Sequence, residues 1–436
     1  MALAEIQREG FSAGWSTEAR SLLKPHDTLG IPIPAYAGRG LTNLAATVFR
    51  VVLPNRAADD LDPSLRPELN PFPEGSAPGP VVIFLVDGLG WFAYSRWLAS
   101  AQVEDPRIFP GSSRPITTVF PTTTTCALAS LATGVAPARH GLVGYRQYVP
   151  RYGAVVDMLK MMPVGSTKVD SLVDADWHPE IFCGQPTLFR RGLDGVALSR
   201  DRFQGSGLTR LIYDGAEYVA YGTASDLARL LAQLLERPRP PPVIFAYWDE
   251  LDTIQHLAGP RPEYVQFEMD RLAHLLKFAA KRLDRRMARS TTLLVTSDHG
   301  QVPTGVQEQL RIDTMPEVAS ELKYPLAGDR KAGYFAAKPG RREPLRRALE
   351  HRMPEGSQIL EMTAALKAGL FGPPPYHPEV LERLGDFLVL LPSPYGVYYV
   401  PPGMKPPTRH LFGGHGGLDA EELLVPLASS RLGDWA

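Results

Sequence analysis

The sequence predicts an α/β fold around a mainly parallel central sheet. Three observations carry that expectation. Short continuous apolar runs recur at Val81–Val86 (VVIFLV), Val243–Trp248 (VIFAYW) and 291–296 (TTLLVT), each bounded by turn residues. Runs of this kind suit strands buried on both faces. Stretches of helical periodicity precede the second and third runs, at about 225–236 and 262–286, the latter amphipathic and opening on Pro262, a permitted first-turn proline. Strands alternating with helices of this length define the class.

The remaining elements come in chain order. Residues 1–53 hold short apolar segments and a helix at Leu41–Val52 that Thr42 or Asn43 would cap. Residues 54–80 are rich in Pro, Asp and Asn and read as an exposed, mobile loop. Residues 301–410 differ in character, with a strand at 331–338, a basic helix at Arg342–Arg352 with a solvated face, and a strand at 387–391. The expected organisation is therefore an α/β core over 1–300 (with the 1–53 extension and the 54–80 loop), an inserted cap subdomain at 301–410, and a return to the core over 411–436. A strand at 423–427 would complete it.

Composition narrows the function classes. The 436 residues are 44% hydrophobic and 21% charged, with a formal net charge of -1. No bulk attraction to nucleic acid or to an anionic membrane results, so neither is expected as a stable partner. No apolar run approaches the ~18–20 residues that span a bilayer. The N-terminal MALAEIQREGFSAGWSTEAR lacks the apolar stretch of a secretory signal. Cys126 and Cys183 permit one disulfide but no framework, and they read as small buried hydrophobes. Cytoplasm is the expected location.

The residues just beyond each apolar run carry the chemistry. The first run leads into Asp87-Gly88. The second leads into Asp249-Glu250-Leu251-Asp252, with His256 four residues on, and the third into Ser297-Asp298-His299-Gly300. Ligands bind at the carboxyl edge of open α/β sheets, and three strands deliver Asp87, Asp252 and Asp298 there, with His256 and His299. Converging carboxylates repel one another unless a cation compensates. Mixed Asp/His ligation suits zinc, and also manganese or iron. So many ligands suggest two divalent metal ions, zinc before manganese. His415, in Gly413-Gly414-His415-Gly416-Gly417, is a sixth candidate if the chain returns to the same edge.

Four threonines stand in Phe120-Pro121-Thr122-Thr123-Thr124-Thr125, ahead of small and apolar residues suited to a buried helix. A hydroxyl at a helix N-terminus lies beside free N–H groups and the positive end of the macrodipole, which favour an alkoxide and a phosphoryl oxygen. His140 reads as a support for the loop after it, and the other histidines as surface or structural. Arg330 and Lys331 are candidate phosphate contacts. Trp91, Phe92, Tyr145, Tyr247 and Trp248 lie near the motifs, available for base stacking or for the core.

In combination these motifs resemble the alkaline phosphatase superfamily, and within it the type I phosphodiesterase/nucleotide pyrophosphatase branch. The resemblance spans about 81–427. It rests on Val86-Asp87-Gly88; Phe120-Pro121-Thr122-x-Thr124 with Ala132-Thr133-Gly134 and His140-Gly141; Asp252-x-x-x-His256 with Gly259-Pro260; Ser297-Asp298-His299-Gly300; and Gly414-His415-Gly416. It implies one metal held by Asp252, His256 and His415. A second would be held by Asp87, Asp298 and His299, with Thr124 as fourth ligand and nucleophile of a phospho-threonine intermediate. Two positions depart from the branch: Ala127 replaces an Asn, and Thr123 replaces a Lys. The implied activity is hydrolysis of a small phosphate ester or nucleotide. Two divalent cations, three aspartates and an alkoxide sum to about neutral, which fits a diester better than a monoester. A phosphomonoesterase or phosphonate hydrolase on the same site is the alternative, and an inactive binding protein the third possibility.

Overall fold

The computed structural model describes residues 16–72, 79–104, 109, 111–175 and 177–436. The N-terminal segment 1–15 and the 73–78 part of the expected loop lie outside them. The three apolar runs are neighbouring strands: Val81–Val86 pairs in parallel with Val243–Trp248 on one side and with Thr292–Thr296 on the other. The full order of the seven-stranded sheet is Ser112–Thr117, Leu424–Arg431, Thr292–Thr296, Val81–Val86, Val243–Trp248, Gly195–Arg200, Glu217–Tyr221. Only Leu424–Arg431 runs against the others.

All six residues of Val81–Val86 are buried, and their alternation feeds two cores. Val81, Ile83 and Leu85 join a cluster with helices Leu41–Val52 and Thr124–Thr133. Val82, Phe84 and Val86 join a second cluster with Trp91–Glu104, Ala224–Leu235 and Pro262–Arg282. A strand with helices on both faces has no solvated side, which is why it reads as a continuous apolar run. Each such side chain contributes about 1.5–3 kcal/mol by leaving water.

Several boundaries differ from expectation. The 262–286 periodicity is split into Pro262–Arg282 and Arg285–Ser290, because Asp284 caps the second helix by accepting from the Arg286 and Met287 amides. The Leu41–Val52 helix is capped through Asn43, whose Oδ1 accepts from the Gly40 amide at 2.9 Å. The 54–72 stretch has little regular structure and most of its residues are exposed, as a loop would be, but a few side chains anchor it to the core. Leu61, Leu65, Leu69 and Phe72 are buried, and Arg50 donates to the Ala58 and Asp62 carbonyls.

A second seven-stranded sheet joins Gln358–Glu361, Phe387–Leu390, Ala332–Phe335, Ala327–Gly328, Arg146–Val149, Ala154–Asp157 and Met162–Pro163. Its strands come from both 146–163 and 327–390. Where it meets the carboxyl edge of the central sheet, the two enclose a cavity of about 470 Å³. No helix among the described residues is long and apolar enough to cross a membrane.

Candidate metal centre and nucleophile

Each strand end delivers its residues for a local reason. Asp87 is the first residue beyond Val81–Val86, and its amide still bonds the Trp248 carbonyl at 2.8 Å. Gly88 then turns the chain at φ 78; a Cβ there would meet the Asp252 Cα at 3.1 Å, so glycine is what lets the next helix approach. That helix, Glu250–Ala258, places Asp252 and His256 on one face, one turn apart. Asp249 and Glu250 turn away and pair with Arg200. Thr292–Thr296 runs into Ser297, Asp298 and His299, all fully buried.

His415 reaches the same edge because Leu424–Arg431 is antiparallel: the loop that enters an antiparallel strand lies where the parallel strands leave. The loop is tied down at several points. Gly413–Gly414 pairs with Val302–Pro303, the Gly416 amide donates to Thr122 Oγ1 at 3.0 Å, and Glu422 accepts from the Gly417 and Asp419 amides at 2.9 and 3.1 Å. Burial holds the Glu422 carboxyl up at about 8, with Asp419 adding and Lys331 opposing. Glu422→Ala should weaken zinc affinity by about 10–100-fold, as loss of ligand support does, in competition with a chromogenic chelator. Unchanged affinity with a lower melting temperature alone would make Glu422 purely structural.

The ligand atoms converge in two overlapping groups, Asp252/His299/His415 and Asp87/Asp298/His299. His299 Nε2 lies 3.5 Å from Asp87 Oδ1 and 3.4 Å from Asp298 Oδ2. His256 joins through Asp252, with Nε2 at 3.4 Å from Oδ1. The rings of His299 and His415 stack at 3.8 Å, and those of His256 and His415 are 5.2 Å apart.

Two features fit a cation. Asp87 Oδ1 and Asp298 Oδ2 are buried without a hydrogen-bond partner, a costly condition unless a positive ion fills it. And all three imidazoles set Nδ1 against a backbone carbonyl: His256 on Gly413 at 2.8 Å, His299 on Gly300 at 3.2 Å, His415 on Thr122 at 2.9 Å. A donating Nδ1–H leaves an Nε2 lone pair aimed inward, the arrangement of metal-ligating histidine. Burial, then the Asp298 and Asp252 charges, raises the Asp87 carboxyl well above its ordinary value. Burial, then His299 and His256, pushes His415 well down, which favours the neutral ring that a metal ligand needs.

The threonines separate by environment. Thr122 Oγ1 donates to the Gly417 carbonyl at 3.0 Å, and Thr125 Oγ1 to the Gly144 carbonyl at 3.2 Å. Thr123 Oγ1 is buried without a partner. Thr124, first residue of Thr124–Thr133, puts Oγ1 at 3.1 Å from His299 Nε2. The first amides of that helix have no intrahelical acceptor. Ala127 is fully buried in the core, so no side chain from that position reaches the site.

The other expected roles divide between site and core. His140 is internal, with Nδ1 accepting from the Leu142 amide and Nε2 against Ser130. Both cysteines are free. Lys331 is not a phosphate contact. It is fully buried, bonds Ser393 Oγ at 2.9 Å and pairs with Asp419 at 3.3 Å. Arg330 does line the cavity, as does Tyr145, whereas Trp91, Phe92 and Trp248 belong to the core. Tyr247 donates to Asp87 Oδ2, and Gln301 donates to Asp252 Oδ1. No motif marks either as a support for the site; their signal is adjacency, one the next-to-last residue of a buried strand and the other coming directly after Asp-His-Gly.

Fold and site together define a metal-dependent phosphoric ester hydrolase. The chain belongs to the type I phosphodiesterase/nucleotide pyrophosphatase family, whose model matches residues 81–416. Its fold is similar to that of murine ectonucleotide pyrophosphatase/phosphodiesterase 5, with a TM-score of 0.59 and 17% identity, covering 80% of this chain and 87% of that one. An inactive threonine-to-alanine variant of the murine protein in complex with AMP gives 0.59 and 16%, and the human protein 0.60 and 15%, over the same shares. No curated protein sequence matches significantly.

Proposed function

We propose that the chain cleaves phosphate diesters or anhydrides with Thr124 as nucleophile. Two divalent ions, zinc first, would be held by Asp252, His256 and His415 and by Asp87, Asp298 and His299, with Thr124 completing the second set. The carrying observation is the 3.1 Å approach of Thr124 Oγ1 to His299 Nε2, in the residue that both ligand groups share. The relative whose inactive form lacks a threonine and binds AMP supports the same reading.

Thr124 Oγ1 loses its proton to solvent and attacks phosphorus in line with the leaving oxygen. The bond to the leaving oxygen breaks, that oxygen departs with the bonding pair and takes a proton from solvent, and the phosphoryl group rests on Thr124. Amides at the N-terminus of Thr124–Thr133 receive a phosphoryl oxygen. Water then displaces Thr124 and the hydroxyl is restored. Bound cations would lower the pKa of the Thr124 hydroxyl and offset charge on the attacking and leaving oxygens.

The test is a parallel assay of the zinc-loaded protein on bis-p-nitrophenyl phosphate, p-nitrophenyl phosphate and a nucleotide p-nitrophenyl ester. The diesters should be hydrolysed at least about tenfold more efficiently than the monoester. A monoester preference would move the assignment to a phosphomonoesterase, and fewer than about one bound metal per chain would sink the dinuclear site.

A further inference from the structure

The cavity over Thr124 is lined by basic side chains that are not metal-ligand candidates. Four cations line it together with Thr124 and His415: Arg146, Lys160, Arg330 and Arg409. They come from separate segments, and none forms an ion pair with a described carboxylate within 4.0 Å. Elsewhere Arg200, Arg202, Arg271, Arg341 and Arg342 have acidic partners.

Two of the four are built into the wall. Arg146 begins the strand Arg146–Val149 and is paired across to Gly328, and its Nε is buried with no hydrogen-bond partner. Arg330 comes just after Ala327–Gly328, and its guanidinium donates no hydrogen bond to another described residue. The acids on the same walls are Asp252, a metal-ligand candidate, and Asp329, which accepts from the Arg330 amide at 2.6 Å. Burial raises the Asp329 carboxyl, and the neighbouring Arg330 charge opposes that rise.

Both arginines are half-buried, with Asp157 across the strand from Arg146, and a guanidinium partly withdrawn from water gains from meeting an anion; arginine matches phosphate oxygens in a two-pronged fashion. The cavity, about 470 Å³, has the size of a small-molecule cleft, far more than one phosphoryl group occupies. We propose that Arg146 and Arg330, with Lys160 and Arg409 beside them, form a second anion subsite that selects a diester or anhydride carrying a further phosphoryl group. This rests on the reading of Thr124 and the metal ligands as the place where the first phosphoryl group reacts. The charge balance is thereby divided: the reacting centre is near neutral, and the excess positive charge serves the remote group.

A dinucleotide with and without a 5′-phosphate isolates that group. Binding is measured on Thr124→Ala protein loaded with zinc, so that turnover does not enter. The phosphorylated form should bind at least about tenfold more tightly, the range of a charge-assisted contact. Arg330→Gln and Arg146→Gln together should bring the ratio to about one, and Arg330→Lys should restore part of it, an outcome a purely structural arginine would not give. A ratio of one in the parent, or a ratio that survives both substitutions, overturns the subsite. Inorganic triphosphate as a competitor shows whether the nucleoside matters to the subsite: competition lost with the arginines assigns recognition to phosphate alone, and no competition with an intact dinucleotide ratio still supports the subsite but ties it to the nucleotide. Zinc-dependent hydrolysis that persists in Thr124→Ala, with the binding ratio intact, would instead defeat the nucleophile assignment and leave the subsite standing.

Discussion

Thr124→Ala is expected to lower turnover of bis-p-nitrophenyl phosphate by at least about a thousandfold, the scale seen when a covalent nucleophile is removed. Zinc content should stay close to that of the wild type, because Asp and His residues supply the other ligands. The neighbouring hydroxyls are poor substitutes. Thr122 and Thr125 are committed to the Gly417 and Gly144 carbonyls, and Thr123 is 1% exposed. Thr124→Ser should keep measurable activity, since it retains the hydroxyl at the helix start and loses only a methyl. Metal analysis and steady-state rates on the three proteins decide the matter. An alanine variant within tenfold of the wild type would remove Thr124 from the chemistry.

The second large effect concerns Asp87. Its carboxyl is buried beside Asp298 and Asp252, and the Oδ1 atom has no partner. Asp87→Asn should cost about one equivalent of zinc after loading and dialysis, and most of the activity with it. Zinc at a hundredfold over its dissociation constant stabilises a single-site protein by about 2.7 kcal/mol, so the wild type should gain several degrees on loading and the variant less. Without metal the order should reverse. The folded-state pKa of Asp87 is raised, so its contribution is intact below the unfolded carboxylate value and is lost as pH rises through the folded one. Metal-free wild type and variant should therefore melt together at the acid end and diverge toward neutral and alkaline pH, with Asn the more stable. Parallel melting curves across that range would show that the aspartates do not repel.

The sequence was most legible where one element does one thing. Val81–Val86, Val243–Trp248 and Thr292–Thr296 are buried on both faces, so their apolar runs name them as parallel strands. Asp87, Asp252 and Asp298 were readable because each comes within four residues of the end of such a run. His415 was readable only as a candidate, since its placement depends on a strand direction that Leu424–Arg431 takes from pairing across the sheet. The cavity cations were the least legible. Arg146 and Arg330 are 184 positions apart and become neighbours through the pairing of Arg146 with Gly328, a long-range event that local patterns do not encode. In the 54–72 stretch the Pro and Asp content marks the irregular, largely exposed backbone, while its spaced leucines are the anchors that composition does not reveal.

The antiparallel strand also bears on how the molecule is made. Leu424–Arg431 is wedged between Thr292–Thr296 and Ser112–Thr117, so Ser112–Thr117 has no sheet partner until residues beyond 424 have left the ribosome. The same late segment brings His415 to ligands set out from residue 87 onward. Sheet closure and assembly of the candidate metal ligands thus both wait for the same segment, through contacts spanning over three hundred residues, which favours slow acquisition of structure and a long interval with open strand edges. Supplying zinc during expression should raise the soluble yield more than supplying it after purification.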